Sequence, residues 1–208
     1  MKSKHLITFL IFSITACYTH IARAQSITSP DTVCAGNTGS VYYVTGSPGS
    51  TFYWVVPNGT ITSGNNTDSI NVDWSSTPGT DTIKVVEVNN HSCIGDTQKL
   101  AVFRMPLPFA SLTGVDSLCY SNTGTSFNVS FSGIGPWNFT YSNGSSSVSF
   151  TNISTNPYTV NTGSLSTTAT YRITAVSNKF GCAGSPIGSG RHIVVVNPKP
   201  ATLAIYHN

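Results

Sequence analysis

Charge is scarce in this chain of 208 residues, since only 8% of them are Asp, Glu, Lys or Arg. Three of the ten basic residues lie within the first 24 positions, and the seven that remain equal the seven acidic residues in number. Binding to a phosphate backbone or to an anionic membrane surface requires a basic patch. We therefore expect no nucleic-acid partner.

Catalytic signatures are also missing. The chain contains no Cys-x-x-Cys pair, no His-Glu-x-x-His motif, no phosphate-binding loop and no dinucleotide fingerprint. None of the three histidines beyond residue 24 has a carboxylate or a nucleophile at a spacing typical of proton transfer or covalent catalysis. We expect no enzymatic activity and no cofactor. Ca²⁺ is the one ion left open, because Asn65, Asn66 and Asp68 place oxygen ligands close together.

The first 24 residues have the three parts of a secretory signal peptide, and neither they nor any other segment is apolar for long enough to span a bilayer. A basic start and an apolar stretch lead to Ala22-Arg23-Ala24, a cleavage motif just before Gln25. The alternative is a lipoprotein signal, in which Cys17 would carry a lipid. Either route exports the chain, so we expect an extracellular or outer-membrane-surface location.

What the chain does contain is an internal repeat. Residues 26–40 recur without a gap, 85 positions later, as residues 111–125. The residues of the first copy that are identical in the second are Ser26, Thr28, Asp31, Cys34, Asn37, Thr38 and Gly39. The repeat predicts two tandem modules, residues 25–108 and residues 109–200, joined by a stiff proline-flanked connector. Tandem arrays of small exported modules usually display, space or bind rather than catalyse.

Each module has two cysteines at equivalent places. We predict that they pair within the modules, as Cys34–Cys93 and Cys119–Cys182, because both pairs close loops of similar length in an oxidising compartment. Each bond would add roughly 3–4 kcal/mol of stability by restricting the unfolded chain. The alternative is that these thiols are free and buried.

Short runs of β-branched and aromatic residues, separated by turn signals, predict an all-β fold. In Phe127-x-Val129-x-Phe131 the apolar residues alternate, as expected for a strand with one buried face and one solvated face. Regular short strands of this kind predict two antiparallel β-sandwiches.

Three tryptophans are the aromatic residues most open to a binding role. Trp54 and Trp137 lie 20 and 18 positions after the first cysteine of their modules, and we expect both rings to pack in the cores near the disulfides. An exposed platform on which sugars stack is the alternative. Trp74 has no counterpart in module two, which makes it the better candidate for a binding aromatic, although packing is favoured there too.

Several segments of the two modules carry a family resemblance. They are residues 33–36, 51–59, 62–64, 69–72 and 89–95 of module one, and residues 135–141 and 180–184 of module two. These segments resemble the PKD-like repeats (module one) and Ig-like repeats (module two) of exported surface proteins of Bacteroidota. Where the best-known PKD signature has W-D-F-G-D-G, this chain has residues 54–59, W-V-V-P-N-G. The resemblance implies extracellular display, often in adhesins or in proteins handled by type IX secretion.

Four aspartates each begin an Asp–Ser/Thr–apolar triplet. This pattern matches the O-glycosylation motif described for exported Bacteroidota proteins, so it predicts Thr32, Ser69, Thr82 and Ser117 as acceptors. The alternative is structural, because in a protein rich in Ser and Thr an Asp often ends a turn just before a strand.

The tail, residues 201–208, resembles the first strand of a further repeat, since Ala201-Thr202-Leu203 echoes residues 110–112. We predict a candidate assembly strand formed by Ala201, Leu203, Ile205 and Tyr206. Addition of this strand to the sheet edge of another copy would produce a homo-oligomer. A frayed tail is the alternative.

Together these features predict a non-enzymatic structural or adhesive protein at the cell surface or secreted, as a subunit of a larger extracellular assembly or filament. The expected partners are other surface proteins, the protein itself, or glycans. Two alternatives stay open: a glycan-binding accessory module, and the N-terminal part of a larger secreted enzyme or adhesin.

Overall fold

The computed structural model of the protein describes residues 31–120, 124–186, 188–201, 203–205 and 207. All helical or strand structure in these residues is β-strand, which confirms the predicted all-β fold. The predicted leader with Cys17, and Tyr206 of the tail, lie outside the described residues.

The described residues contain sixteen strands, and seven of them lie before the proline-containing connector, residues 106–108. They are β1 (Asp31–Cys34), β2 (Ser40–Tyr43), β3 (Thr51–Val55), β4 (Gly59–Ser63), β5 (Ser69–Trp74), β6 (Gly79–Val88) and β7 (Gln98–Met105). Nine strands follow it. They are β8 (Phe109–Ser111), β9 (Gly114–Cys119), β10 (Ser126–Ser132), β11 (Trp137–Ser142), β12 (Ser147–Ile153), β13 (Tyr158–Asn161), β14 (Ala169–Asn178), β15 (Ala183–Gly184) and β16 (His192–Asn197).

Module one is a sandwich of a four-stranded sheet, in the order β1-β7-β6-β3, and a three-stranded sheet, in the order β2-β5-β4. Because side chains alternate across a strand, every second residue of β5 is buried: Ile70, Val72 and Trp74. These side chains pack against Ile83 and Val102 of the opposite sheet. The two sheets therefore share one apolar core.

Module two has a larger sheet, in the order β12-β11-β14-β16-β9 with β15 beside β14, and an opposing sheet in the order β13-β10-β8. The predicted alternation in β10 is confirmed, since Phe127, Val129 and Phe131 are buried and the residues between them are exposed. They form one cluster with Tyr141 and Tyr171 of the larger sheet. Aromatic rings thus make up much of this core.

Two strand pairs depart from the antiparallel pattern. β1 runs parallel to β7, with Cys34 opposite Met105, and β9 runs parallel to β16, with Cys119 opposite Asn197. In each module a part of the repeated segment, β1 or β9, is therefore an edge strand that ends beside the last strand of its own module.

One pair of corresponding strands, β4 and β12, differs between the modules in the sheet to which it belongs. β4 pairs with β5 in the smaller sheet of module one, whereas β12 pairs with β11 in the larger sheet of module two. Repeated sequence has therefore not produced two identical topologies.

Candidate functional site at the module junction

A disulfide joins the two modules. Cys34, the last residue of β1, is bonded to Cys182, which follows β14, and their Cα atoms are 5.5 Å apart. Cys93 and Cys119 are unpaired and exposed. The predicted pairing within modules, Cys34–Cys93 and Cys119–Cys182, is therefore wrong.

Strand length explains why the cysteines of one module do not meet. In module one, Cys34 lies beside Met105 at the end of β7, whereas Cys93 precedes the start of that strand. Eight residues of β-strand span about 25 Å, and a disulfide needs Cα atoms within about 7 Å. In module two the ten residues of β14 separate Cys119 and Cys182 by about 30 Å in the same way.

Asn178 shapes the loop that presents Cys182 and also contacts module one. Its Oδ1 accepts hydrogen bonds from the backbone N–H groups of Phe180 and Cys182, both at 3.0 Å, and its own N–H donates to the carbonyl of Cys182. Its Nδ2 donates to Sδ of Met105 at 3.2 Å. Asn178 was not among the predicted site residues, although the repeat contained the signal, since Asn89 holds the same place in module one.

The connector packs directly on module two. A Cβ atom on Gly184 would overlap the carbonyl oxygen of Pro108, and one on Gly133, where φ is +85°, would lie 3.1 Å from the carbonyl oxygen of Leu107. Glycine at these two positions lets the connector backbone approach closely. The junction is therefore held by a covalent bond, a hydrogen bond and backbone packing.

A buried ion pair lies next to the junction in module one. Nε of Arg104 is 2.6 Å from Oδ2 of Asp81, and the two residues are 3% and 8% exposed. Arg104 also donates from Nη1 to the carbonyl of Thr77, and Nδ2 of Asn58 donates to the other carboxylate oxygen of Asp81 at 2.7 Å. The pair is thus surrounded by hydrogen bonds, as a buried charge requires.

The first aspartate of each repeat binds a side chain of its own module. The hydroxyl of Tyr42 donates to Asp31 at 2.9 Å, and burial, together with this hydrogen bond, raises the pKa of Tyr42. In module two Asp116 accepts a hydrogen bond from the hydroxyl of Thr125 and lies 3.2 Å from Nε2 of His192. These contacts give the repeated aspartates a structural role.

The four predicted glycosylation acceptors differ in accessibility. Thr32 and Ser117 are exposed, on the edge strands β1 and β9, whereas Ser69 and Thr82 are half-buried in β5 and β6. The hydroxyl of Ser117 accepts a hydrogen bond from Nδ2 of Asn197 at 2.7 Å. Glycosylation at these residues stays a prediction.

Trp54 and Trp137 pack against the two cores as expected, although the disulfides predicted near them do not form. Trp54 is half-buried and its Nε1 donates to the carbonyl of Thr67, whereas Trp137 stacks on Phe131 with ring centroids 5.1 Å apart. Trp74 is only 4% exposed, so the alternative of an exposed binding ring there is wrong.

Two further predictions concern the tail and the loop that contains Asn65, Asn66 and Asp68. Residues 201 and 203–205 form no strand, and Leu203 and Ile205 are 84% and 98% exposed. In the described residues no three His, Cys, Asp or Glu side chains are grouped to hold a metal ion. The assembly strand and the Ca²⁺ site therefore stay predictions.

No helix in the described part of the chain is long and apolar enough to cross a membrane.

Residues 20–102 match the sequence model of a family described as a PKD-like domain. No curated protein matches the chain. Fibronectin(III)-like modules of Clostridium thermocellum CbhA are similar to it, at 14% identity and a TM-score of 0.39, over 88% of this chain and 98% of theirs. Extracellular domains 3–5 of Drosophila OTK are similar at 9% identity and a TM-score of 0.47, over 81% and 59%. The D00-D0 domain of intimin is similar at 10% identity and a TM-score of 0.40, over 80% and 95%.

At these identities and TM-scores, nothing about those proteins carries over to this chain. The fold is a pair of tandem Ig-like or PKD-like β-sandwiches, as predicted. Modules of this kind are typically non-catalytic. Such modules, and a disulfide of the kind found here, are typical of extracellular proteins.

Proposed function

We propose that this protein is a non-enzymatic structural or adhesive component of the cell surface, in which two sandwich modules act as one stiff unit. The observation that supports this proposal is the bond between Cys34 and Cys182, which joins modules that a connector already links. Two attachments fix the relative orientation of two bodies better than one. Such stiffness suits a unit that transmits force or holds a binding surface away from the cell. A hinge between the modules would prevent both.

The experiment that tests this function uses cells that produce the protein. Brief protease treatment of intact cells should remove it from the surface, and deletion of its gene should lower adhesion to a surface or to other cells. Wild-type protein should restore adhesion, and a variant with Cys34→Ser and Cys182→Ser, matched in amount, should restore it only in part. Protection from protease on intact cells, or unchanged adhesion after deletion, would contradict the proposal.

Glycan binding would be evidence for a different function, that of an accessory module. The exposed aromatic side chains Tyr43 and Tyr53, at 77% and 55% exposure, lie on β2 and β3, which belong to different sheets. They do not form the aligned row on which a sugar chain stacks. Saturable binding on a glycan array, lost in Tyr43→Ala or Tyr53→Ala, would favour the accessory-module alternative.

We further propose that the mature chain begins at Gln25 after export by a route used by Bacteroidota surface proteins. Intact mass and N-terminal sequencing of the protein from its own cells test this, since a lipid on Cys17 would show the lipoprotein route instead. The same mass spectrum tests glycosylation. Added hexose masses on peptides with Thr32 or Ser117, the two exposed acceptors, are the expected result.

A further inference from the structure

The two unpaired cysteines are presented by the same local structures as the two bonded ones. In the loop of Cys93, the N–H of Asn89 donates to the carbonyl of Cys93 at 3.0 Å, and Oδ1 of Asn89 accepts from the N–H of Cys93 at 2.9 Å. The loop of Cys182 has the same two bonds to Asn178, each at 3.0 Å. The loop of Cys93 is therefore fixed by the same two hydrogen bonds as the loop of Cys182.

The first cysteines are equivalent as well. Cys34 ends β1 opposite Met105, and the next N–H, that of Ala35, donates to the carbonyl of Met105 at 2.9 Å. Cys119 ends β9 opposite Asn197, and the N–H of Tyr120 donates to the carbonyl of Asn197 at 2.7 Å. Cys119 is therefore the counterpart of Cys34, at the far end of module two.

The chain thus contains one complete junction and the two halves of another. The complete junction joins the first cysteine of module one to the second cysteine of module two. One half is Cys119 of module two, which lies beside the end of β16. The other half is Cys93 of module one, which precedes the start of β7. One chain cannot bring these two halves together, because the bonded pair of modules lies between them.

We propose that Cys119 of one copy forms a disulfide with Cys93 of a second copy, which repeats the junction between the modules from one molecule to the next. Each copy offers one cysteine of each kind at opposite ends, so the contact is head-to-tail and does not close on itself. The product is a covalent chain of copies. This inference deepens the proposed structural role and rests on it for the oxidising location.

The surroundings of both cysteines fit such a junction. Gly95 stands two residues after Cys93, as Gly184 stands two residues after Cys182, and so leaves room for an approaching backbone. The segment Pro198-Lys199-Pro200 follows β16 as the connector follows β7. Ile94, next to Cys93, is 76% exposed and offers apolar surface for the contact.

The bond forms by two thiol–disulfide exchanges with a small disulfide oxidant. The thiolate of Cys119 attacks one sulfur of the oxidant, and the other sulfur leaves as a thiolate. The thiolate of Cys93 from the second copy then attacks the sulfur of Cys119 in this mixed disulfide and displaces the second small thiolate. Two protein thiols are oxidised and the oxidant is reduced to two thiols, because the two small thiolates take up the two protons that the protein thiols lose.

The experiment uses purified residues 25–208 with oxidised and reduced glutathione, in a mixture of unlabelled and ¹⁵N-labelled protein. Wild type should give a ladder of multiples on a non-reducing gel, and peptide mapping should find Cys93–Cys119 between labelled and unlabelled copies. The variants Cys93→Ser and Cys119→Ser should each give no ladder. A mixture of the two should stop at the dimer, because only one bond can form between them.

A matched control separates the proposed contact from chance oxidation. The variant Cys93→Ser with Ser145→Cys keeps two exposed cysteines but moves one to the exposed turn before β12. It should form multimers at least tenfold more slowly than wild type. Equal rates, a wild type that stays monomeric, or a ladder built from Cys93–Cys93 and Cys119–Cys119 bonds would overturn the proposal. Since purified protein is used, such a failure leaves the adhesion experiment on cells unaffected.

Discussion

Modules one and two have similar structures at their ends and differ in how the strands at their sheet edges pair. In both, an edge strand, β1 or β9, ends in a cysteine beside the last strand of the module, and both present the second cysteine on a loop held by an asparagine. By contrast, β4 joins the smaller sheet in module one, whereas β12 joins the larger sheet in module two. The repeat thus preserves the surfaces where one module meets the next and leaves the sheet edges free to vary.

The turns before β4 and before β12 account for this difference. In module one Pro57 has no N–H to continue the ladder, and Asn58 has a φ of +52°, so the chain turns away from β3 and reaches the opposite sheet. In module two Oδ1 of Asn143 accepts from the backbone N–H groups of Ser145 and Ser146, which closes a tight hairpin between β11 and β12. Local turn chemistry therefore decides which sheet gains a strand.

The largest expected effect comes from removal of the bond that unites the two modules. In a background with Cys93→Ser and Cys119→Ser, the further changes Cys34→Ser and Cys182→Ser should cost up to about 5 kcal/mol, because the bond closes a loop with a sequence separation of 148. Calorimetry should show a lower midpoint, and ¹⁵N relaxation should show modules that tumble more independently. Reduction of the bond in the same background is the control, and an unchanged midpoint would contradict the role given to it.

Arg104→Met tests the buried ion pair of module one. The change leaves Asp81 buried without its partner and should cost about 3–5 kcal/mol, whereas module two, with Val196 and Ala169 at the equivalent positions, should be unaffected. Hydrogen exchange resolved by residue measures both modules at once. Arg104→Met combined with Asp81→Ala should be less damaging than the single change, and equal losses in the two modules would refute the assignment.

Tyr42→Phe tests how module one satisfies its repeated aspartate. At neutral pH the lost hydrogen bond to Asp31 should cost about 2 kcal/mol. The pKa of Tyr42 is raised in the fold, so its contribution is complete below the ordinary tyrosine pKa of about 10 and declines as the pH rises above it. The difference in unfolding free energy between wild type and variant should therefore shrink above pH 10, in urea titrations. A constant difference would mean that Tyr42 does not keep its proton in the fold.

The smallest effect concerns the turn that sends β4 to the smaller sheet. Asn58→Ala loses the hydrogen bond to Asp81 and places a Cβ residue at positive φ, whereas Asn58→Gly loses only the bond. The alanine variant should be about 1 kcal/mol less stable than the glycine variant. Asn152, at a φ of +57° in β12, is the matched control in module two, and its alanine and glycine variants should differ by a similar amount. Identical stability of Asn58→Ala and Asn58→Gly would show that the turn is not strained.

The sequence predicted those features that depend on neighbours along the chain. The alternation of apolar residues in β10 predicted its buried face, because successive side chains of a strand point to opposite faces of the sheet. The aromatic residues around Trp54 and Trp137 predicted that both rings pack in the cores. The parallel pairing of β1 and β9 was not predicted, since it depends on which distant strand lies beside them. The tail and the glycosylation acceptors, including Thr32, are still predictions from pattern.

By itself the sequence determined an all-β chain of two related modules, since the repeat and the two-residue periodicity are local properties that survive in any arrangement of the strands. Only the tertiary structure decided the disulfide. The repeat makes Cys34 equivalent to Cys119, and Cys93 equivalent to Cys182. Within each module, however, a long strand, β7 or β14, places the two cysteines at opposite ends. The bond therefore crosses from Cys34 to Cys182, because a disulfide forms where Cα atoms approach and not where sequence positions match.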